Sequence, residues 1–223
     1  MKDPSTMAAR KHAGAEHALR FLKPGTVVGV GSGSTVSFFI AALSKRTVDF
    51  PRAVSSSERS SSLLKAGGIQ VLDLNDAGAI DVYVDGADEV DPHLALIKGG
   101  GGALTREKII AQASRRFVCV VDDSKQVAVL GRFPLPVEVI PMARSLVTRE
   151  LQQLGATVSE RTGFVTDNGN LILDAAGLEI TDPSGLEAEI NQWPGVVTCG
   201  IFSRRRPDVV LVSSAAGVHE ICA

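Results

Sequence analysis

The amino-acid sequence predicts an α/β protein, an open and mostly parallel sheet flanked by helices, joined to a smaller α+β domain. Three observations predict it. Short apolar runs alternate with helical stretches from residue 8 to residue 121, as expected of repeated βαβ units. A strand, a turn rich in glycine and hydroxyl groups, and a helix follow one another from residue 26 to residue 43, the arrangement that presents N–H groups and hydroxyls to a phosphate. Beyond a Pro- and Gly-containing break at residues 130–136, the order becomes β-α-β-β-α-β, that of a ferredoxin-like subdomain. These readings set the boundaries at 8–130 with 204–223 for the larger domain and 131–203 for the smaller one.

The elements follow in order. Residues 8–22 carry Ala15, Leu19 and Leu22 at helical spacing, and Lys23-Pro24-Gly25 ends that helix. Residues 26–30 form a short apolar strand suited to burial on both faces. Gly31-Ser32-Gly33-Ser34-Thr35 then turns the chain into a helix over 36–43. No Gly-Lys-Ser/Thr follows, so this is not a Walker A loop, and Ser34 leaves the dinucleotide fingerprint incomplete. A tight turn that needs small residues is the other reading. A strand at 53–55 leads through Ser56-Ser57-Glu58-Arg59-Ser60, which caps a helix to Ala66. Gly67-Gly68 stops it, and strands follow at 69–74, 80–84 and 117–121. After the break come a strand at 137–140, a helix over 142–154, a strand at 157–159, and the hairpin signal Asp167-Asn168-Gly169-Asn170 leading into 171–174. A helix over 185–191, a strand over 195–201 and a last strand at 208–212 complete the chain.

Composition narrows the function. The chain has 223 residues, 44% hydrophobic and 22% charged, with a net charge of -2. That balance does not suggest nucleic acid or an anionic membrane as partner, and only 4% aromatic residues argues against base stacking. The cysteines, Cys119, Cys199 and Cys222, are odd in number and fit no metal spacing. Cys119 lies in an apolar run and reads as a buried free thiol, which points to a reducing, cytoplasmic setting. His12, His17, His93 and His219 show no ligand-like pairing, so no metal is expected. No apolar run approaches a membrane span. Residues 1–6 carry no apolar signal core and are set aside from the fold argument, with Met7 as a candidate start.

Two stretches carry chemistry. The first is Lys98-Gly99-Gly100-Gly101-Gly102 with the helix that begins near Thr105. Consecutive glycines cost backbone entropy, and their use is to let N–H groups approach an anion. Lys98 adds a positive charge. Glu107 lies near the helix start, where the macrodipole favours its ionised form, and is a candidate general base. A flexible linker before a surface helix is the bland alternative. The second is Asp85-Gly86-Ala87-Asp88-Glu89-Val90-Asp91, with four acidic groups at the C-terminal end of a strand, where open α/β sheets bind ligands. Its spacing is not that of an EF-hand loop. Carboxylates that grip sugar hydroxyls and move protons, or a solvated acidic turn, are the two readings. Lys125 follows another strand end, in reach of an anionic ligand or as an ordinary surface lysine.

Together these stretches resemble ribose-5-phosphate isomerase, type A. The matching segments are residues 29–35, 85–89, 96–110, 123–125, 135–139 and 165–170, with further fits at 195–197 and 208–211. The resemblance implies a Rossmann-like domain plus a ferredoxin-like one, a homodimer or larger oligomer, and a reaction without cofactor or metal in the non-oxidative pentose phosphate pathway. It implies that Ser32, Gly33, Ser34, Thr35 and Lys125 hold the substrate and its phosphate. Asp85, Gly86, Ala87 and Asp88 contact the sugar, with Asp85 and Asp88 assisting ring opening. Lys98, Gly99, Gly100 and Gly101 hold the substrate and stabilise charge, and Glu107 accepts the proton. Two departures stand out: Ser32 where threonine is frequent, and His12 after Lys11 where a lysine pair is common. The residue types suit the chemistry, which needs a base between C2 and C1, a stabilised enediolate oxygen and a group to open the furanose. Two rivals are a sugar-phosphate sensor of the DeoR type, whose helix-turn-helix domain has too little chain before the first strand, and a CoA transferase-like enzyme with a glutamate nucleophile.

Overall fold

The computed structural model describes residues 6–223; residues 1–5, part of the stretch set aside above, lie outside the described residues. The chain runs α1 (Met7–Ala18), β1 (Val27–Val30), α2 (Ser34–Leu43), β2 (Arg52–Ser55), α3 (Glu58–Ala66), β3 (Gln70–Val71) and β4 (Ile80–Asp85). It continues through β5 (Glu89–Val90), β6 (Leu96–Ile97), α4 (Leu104–Ala113), β7 (Ser114–Asp122), β8 (Leu135–Val139), α5 (Arg144–Gln153) and β9 (Thr157–Glu160). Last come β10 (Leu171–Ala176), α6 (Pro183–Ile190), β11 (Val196–Cys199), β12 (Ile201–Phe202), β13 (Val209–Ser214) and β14 (Gly217–Cys222).

Two compact units emerge. The first comprises the described residues up to Gly86, Arg106–Lys125 and Pro207–Ala223. Its sheet has the order β3-β2-β1-β4-β7-β13-β14, parallel except for the antiparallel edge strand β14. With the strands numbered within the sheet this is 3-2-1-4-5-6-7, the doubly wound Rossmann-like order. The core gathers Val28, Phe39, Leu43, Val82, Val118 and Leu211, and each such buried side chain contributes about 1.5–3 kcal/mol. Helix α1 packs on β7 and β13 because Gly14 carries no Cβ; one built there would fall 2.3 Å from Ser213 Oγ and 2.8 Å from Val120.

The second unit comprises Ala87–Thr105 and Gln126–Arg206. Its four-stranded antiparallel sheet runs β11-β8-β10-β9, the 4-1-3-2 order of the ferredoxin-like β-α-β-β-α-β. A separate three-stranded sheet, β12-β6-β5, recruits residues 87–105 to this unit. The sequence reading drew its boundaries at 130/131 and 203/204, whereas the compact units meet at 86/87, 105/106, 125/126 and 206/207. The two-residue strands β5 and β6 are too short to carry a periodic signal, and they decide that allocation.

Several elements differ from the sequence reading. Strand β8 starts at Leu135, inside the expected break; Pro136 has no N–H to donate, but its carbonyl accepts Gly200 N–H at 2.7 Å. The expected strand over 195–201 is two strands parted at Gly200, where a Cβ would fall 2.3 Å from the Lys98 carbonyl oxygen. Strand β14, in which His219-Glu220 and Ile221-Cys222 break the period-2 alternation, went unread. Cys119 and Cys199 are buried and lie outside any disulfide, and Cys222 is exposed.

Candidate active site

In the first unit the sheet order reverses between β1 and β4, and candidate residues gather at the C-terminal ends of these strands. The turn after β1 is tied down by Gly31 N–H to the Val84 carbonyl at 2.9 Å and by Ser60 Oγ to the Gly31 carbonyl at 2.7 Å. Gly31 is obligatory, because a Cβ there would lie 2.0 Å from the Asp85 carboxyl carbon. Asp85, buried at the end of β4, accepts Ser32 N–H at 3.0 Å and Gly86 N–H at 2.7 Å on Oδ1, and the Tyr83 hydroxyl on Oδ2. Ser32 Oγ in turn donates to Glu107 Oε1 at 2.6 Å. Glu107 is buried in the first turn of α4. One serine thus joins two buried carboxylates, its amide to Asp85 and its hydroxyl to Glu107.

Next to this pair lies the N-terminus of α2. Gly33 caps it at φ 96°, ψ -179°, a conformation open to glycine almost alone, and the cap has no side-chain hydrogen bond and no acidic residue in the first turn. The helix start therefore keeps its attraction for an anion. Lys11 Nζ donates to Ser34 Oγ at 2.9 Å, so α1 brings a cation to the same turn. His12 instead packs edge-on against Phe38, 5.9 Å between ring centres. Thr35 is half-buried in the first turn of α2. Lys125 is half-buried at the end of a 3-10 turn following β7.

In the second unit the acidic run divides. Asp88 Oδ2 accepts Gly100 N–H at 2.8 Å. Glu89 is frame: it is buried and accepts Gly131 N–H at 2.8 Å and Phe133 N–H at 2.6 Å. Asp91 closes a turn by accepting His93 N–H and Ala95 N–H at 2.9 and 2.8 Å. Lys98 is buried, its Nζ 5.4 Å from the Phe202 ring centre. The glycine run is not a loose linker. Gly102 N–H bonds the Gly99 carbonyl at 2.8 Å, and the Gly100 carbonyl accepts Arg161 Nη1 at 3.1 Å. Arg161 is locked bidentately on Asp174 at 2.6 and 2.7 Å and lies over Phe164. Among the described residues no cluster of three or more His, Cys, Asp or Glu side chains is placed to hold a metal ion.

Sequence reasoning missed Tyr83, Arg161 and the reach of Lys11. Tyr83 was findable, since residues two apart on a strand share a face. Nothing in the sequence marked Arg161.

Fold and site define a doubly wound α/β enzyme with linked carboxylates at the switch point of its sheet. The model of ribose 5-phosphate isomerase A (phosphoriboisomerase A) matches residues 52–217. Ribose-5-phosphate isomerase A of Acidithiobacillus ferrooxidans is 57% identical over 212 residues, covering 95% of this chain and 97% of its own. That of Stenotrophomonas maltophilia is 58% identical over 207 residues, covering 92% and 96%. The crystal structure of ribose 5 phosphate isomerase A from Neisseria gonorrhoeae superposes with a TM-score of 0.95 at 45% identity, covering 98% of each chain. A D-ribose-5-phosphate isomerase in complex with phospho-erythronic acid gives a TM-score of 0.92 at 39% identity, covering 96% of this chain and 98% of its own. The chain belongs to the ribose 5-phosphate isomerase A family.

Proposed function

We propose that the chain interconverts D-ribose 5-phosphate and D-ribulose 5-phosphate through an enediolate, with Glu107 as general base. Family membership makes the protein an aldose–ketose isomerase and favours neither the sensor nor the CoA transferase reading. The observation that supports the residue roles best is the Asp85–Ser32–Glu107 link at the strand ends. Glu107 takes the C2 proton of the open-chain aldose and returns it to C1 as the C2 carbonyl forms. Asp85 and Asp88, with the backbone of Gly86 and Ala87, hold sugar hydroxyls, and the two carboxyl groups assist ring opening. Lys98 and the backbone of Gly99, Gly100 and Gly101 face the oxygen on which charge develops. Ser32, Gly33, Ser34, Thr35 and Lys125 hold the substrate and its phosphate, whose binding energy keeps the reacting carbons near the base. Each of these roles falls to a side chain or backbone group of the chain, and the proposal includes no cofactor and no metal.

The test is an assay on ribose 5-phosphate with no added cofactor, before and after exhaustive chelation, with Glu107→Gln beside the wild type. Turnover that survives chelation and collapses in the variant is expected. No turnover on ribose 5-phosphate would sink the activity. Loss on chelation, restored by a divalent ion, would reassign the acidic run. Near-normal turnover in Glu107→Gln would pass the role of base to Asp85 or Asp88. The proposal extends to a cytoplasmic homodimer, supported by cysteines that lie outside any disulfide and by the family resemblance; light scattering of the purified protein tests the dimer.

A further inference from the structure

Tyr83 is the chain's only tyrosine and is wholly buried in the first unit. Its ring stacks at a tilt on Phe117, 5.1 Å between centres, and passes beneath Gly29. A phenylalanine would pack equally well there, so packing does not account for the hydroxyl. The hydroxyl donates to Asp85 Oδ2, while the backbone N–H groups of Ser32 and Gly86 serve Oδ1. Three donors from three peptide or side-chain sources thus fix the plane of one carboxylate.

We infer that Tyr83 is a positioning residue of the isomerase reaction, holding the Asp85 carboxylate in place and aimed through its hydroxyl. The inference rests on the reading that Asp85 serves the reaction. Without the hydroxyl, Oδ2 loses a donor from its own strand and the carboxylate is freer to turn. The titratable groups that act on the hydroxyl are Asp85, from its own strand, and Glu107, from α4. Strand β7 sets the buried Cys119 opposite Asp85 in register, and Ser56, after β2, acts on Tyr83 in the opposite sense to the carboxylates. Burial first, and then the charges of Asp85 and Glu107, push the Tyr83 hydroxyl well above its ordinary value of 10.0, so it keeps its proton. It is a fixed donor, not a shuttle.

The test is Tyr83→Phe, with Phe117→Leu as a packing control. Tyr83→Phe should lower kcat about tenfold, the order expected for one hydrogen bond to a charged group, and more than it raises KM. Phe117→Leu should lower the melting temperature without that fall in kcat. An unchanged kcat in Tyr83→Phe overturns the inference, and so does an equal fall in Phe117→Leu. A second measurement does not depend on the folding of Tyr83→Phe. The tyrosinate absorbance reports this hydroxyl alone, and in Asp85→Asn, with the neighbouring charge gone, it should appear at lower pH than in the wild type. An unchanged titration overturns the inference. Full activity in Asp85→Asn sinks the parent reading instead, while an inactive Asp85→Asn beside an unaffected Tyr83→Phe sinks only this one.

Discussion

Glu107 in the first unit and Glu138 in the second are both buried, yet their hydrogen-bond partners differ in kind. Glu138 accepts hydrogen bonds from Thr105 Oγ, Thr166 Oγ at 2.8 Å, Asn168 Nδ2 at 3.1 Å and Asn170 Nδ2 at 2.9 Å. Four neutral donors occupy its oxygens, and the carboxylate becomes a knot between the start of α4, β8 and the turn over 166–170. Glu107 instead meets the Ser32 hydroxyl, whose amide holds a second carboxylate. The Glu138 carboxylate, saturated by neutral groups, is frame, and the link of Glu107 to a second carboxylate through a small hydroxyl suits the base role proposed for it. Burial alone does not distinguish them.

The comparison is sharpened most by Glu107→Gln. It should lose at least about 10²-fold in kcat, the lower end for a positioned base, with KM and melting temperature little changed. In heavy water the wild type should place solvent deuterium on the transferred position, and the variant almost none. Next in size, Lys125→Ala should raise KM without a matching fall in kcat, by the roughly 1.5–3 kcal/mol of a lost charge-assisted contact, and steady-state kinetics will separate the two. Glu138→Gln should destabilise by about 1–3 kcal/mol, because donors that faced a carboxylate oxygen now face an amide nitrogen; the urea midpoint reports it. If Glu138→Gln matched Glu107→Gln in lost kcat at unchanged stability, the division between frame and chemistry would break. Arg161→Lys keeps the charge but not the planar fork; roughly a fivefold rise in KM, about 1 kcal/mol, is expected from loosening the Gly100 carbonyl. The smallest effect is the Tyr83 contribution to stability against pH. Its folded value is raised above 10.0, so the folded state holds the proton longer than the unfolded one. That stability is complete below about pH 10 and is lost as pH rises through the folded value. Urea titrations in alkaline buffer should show the fall, and Tyr83→Phe should lack it.

Much of the candidate site's geometry was legible because its signals are local. Gly31 and Gly33 stand in one short turn, Asp85 ends an apolar strand, and Glu107 opens a helix after a run of glycines. The roles within the acidic run were not legible, since nothing in Asp88-Glu89-Val90-Asp91 says that Glu89 accepts amides from 131 and 133. Ser32 was read only as a substrate contact, and its bond to Glu107 spans 75 residues. Arg161 reaches the Gly100 carbonyl 61 residues away and Glu138 its partners 28 to 33 residues away, where periodicity carries no information. The fold followed the same rule. The long alternating elements were readable, and the strands missed were β5 and β6, two residues each, and the edge strand β14.

The chain leaves the first unit and returns to it twice, at 86/87, 105/106, 125/126 and 206/207. No single cut of the polypeptide therefore separates the two units. Strand β13, which lies between β7 and β14, is synthesised only after the whole second unit. A nascent chain must hold β1, β4 and β7 with one side of β7 unpaired until then, which delays closure of the sheet and exposes an edge during synthesis. The interleaving also makes partial unfolding of one unit drag on the other through four covalent crossings, so the two should melt as one.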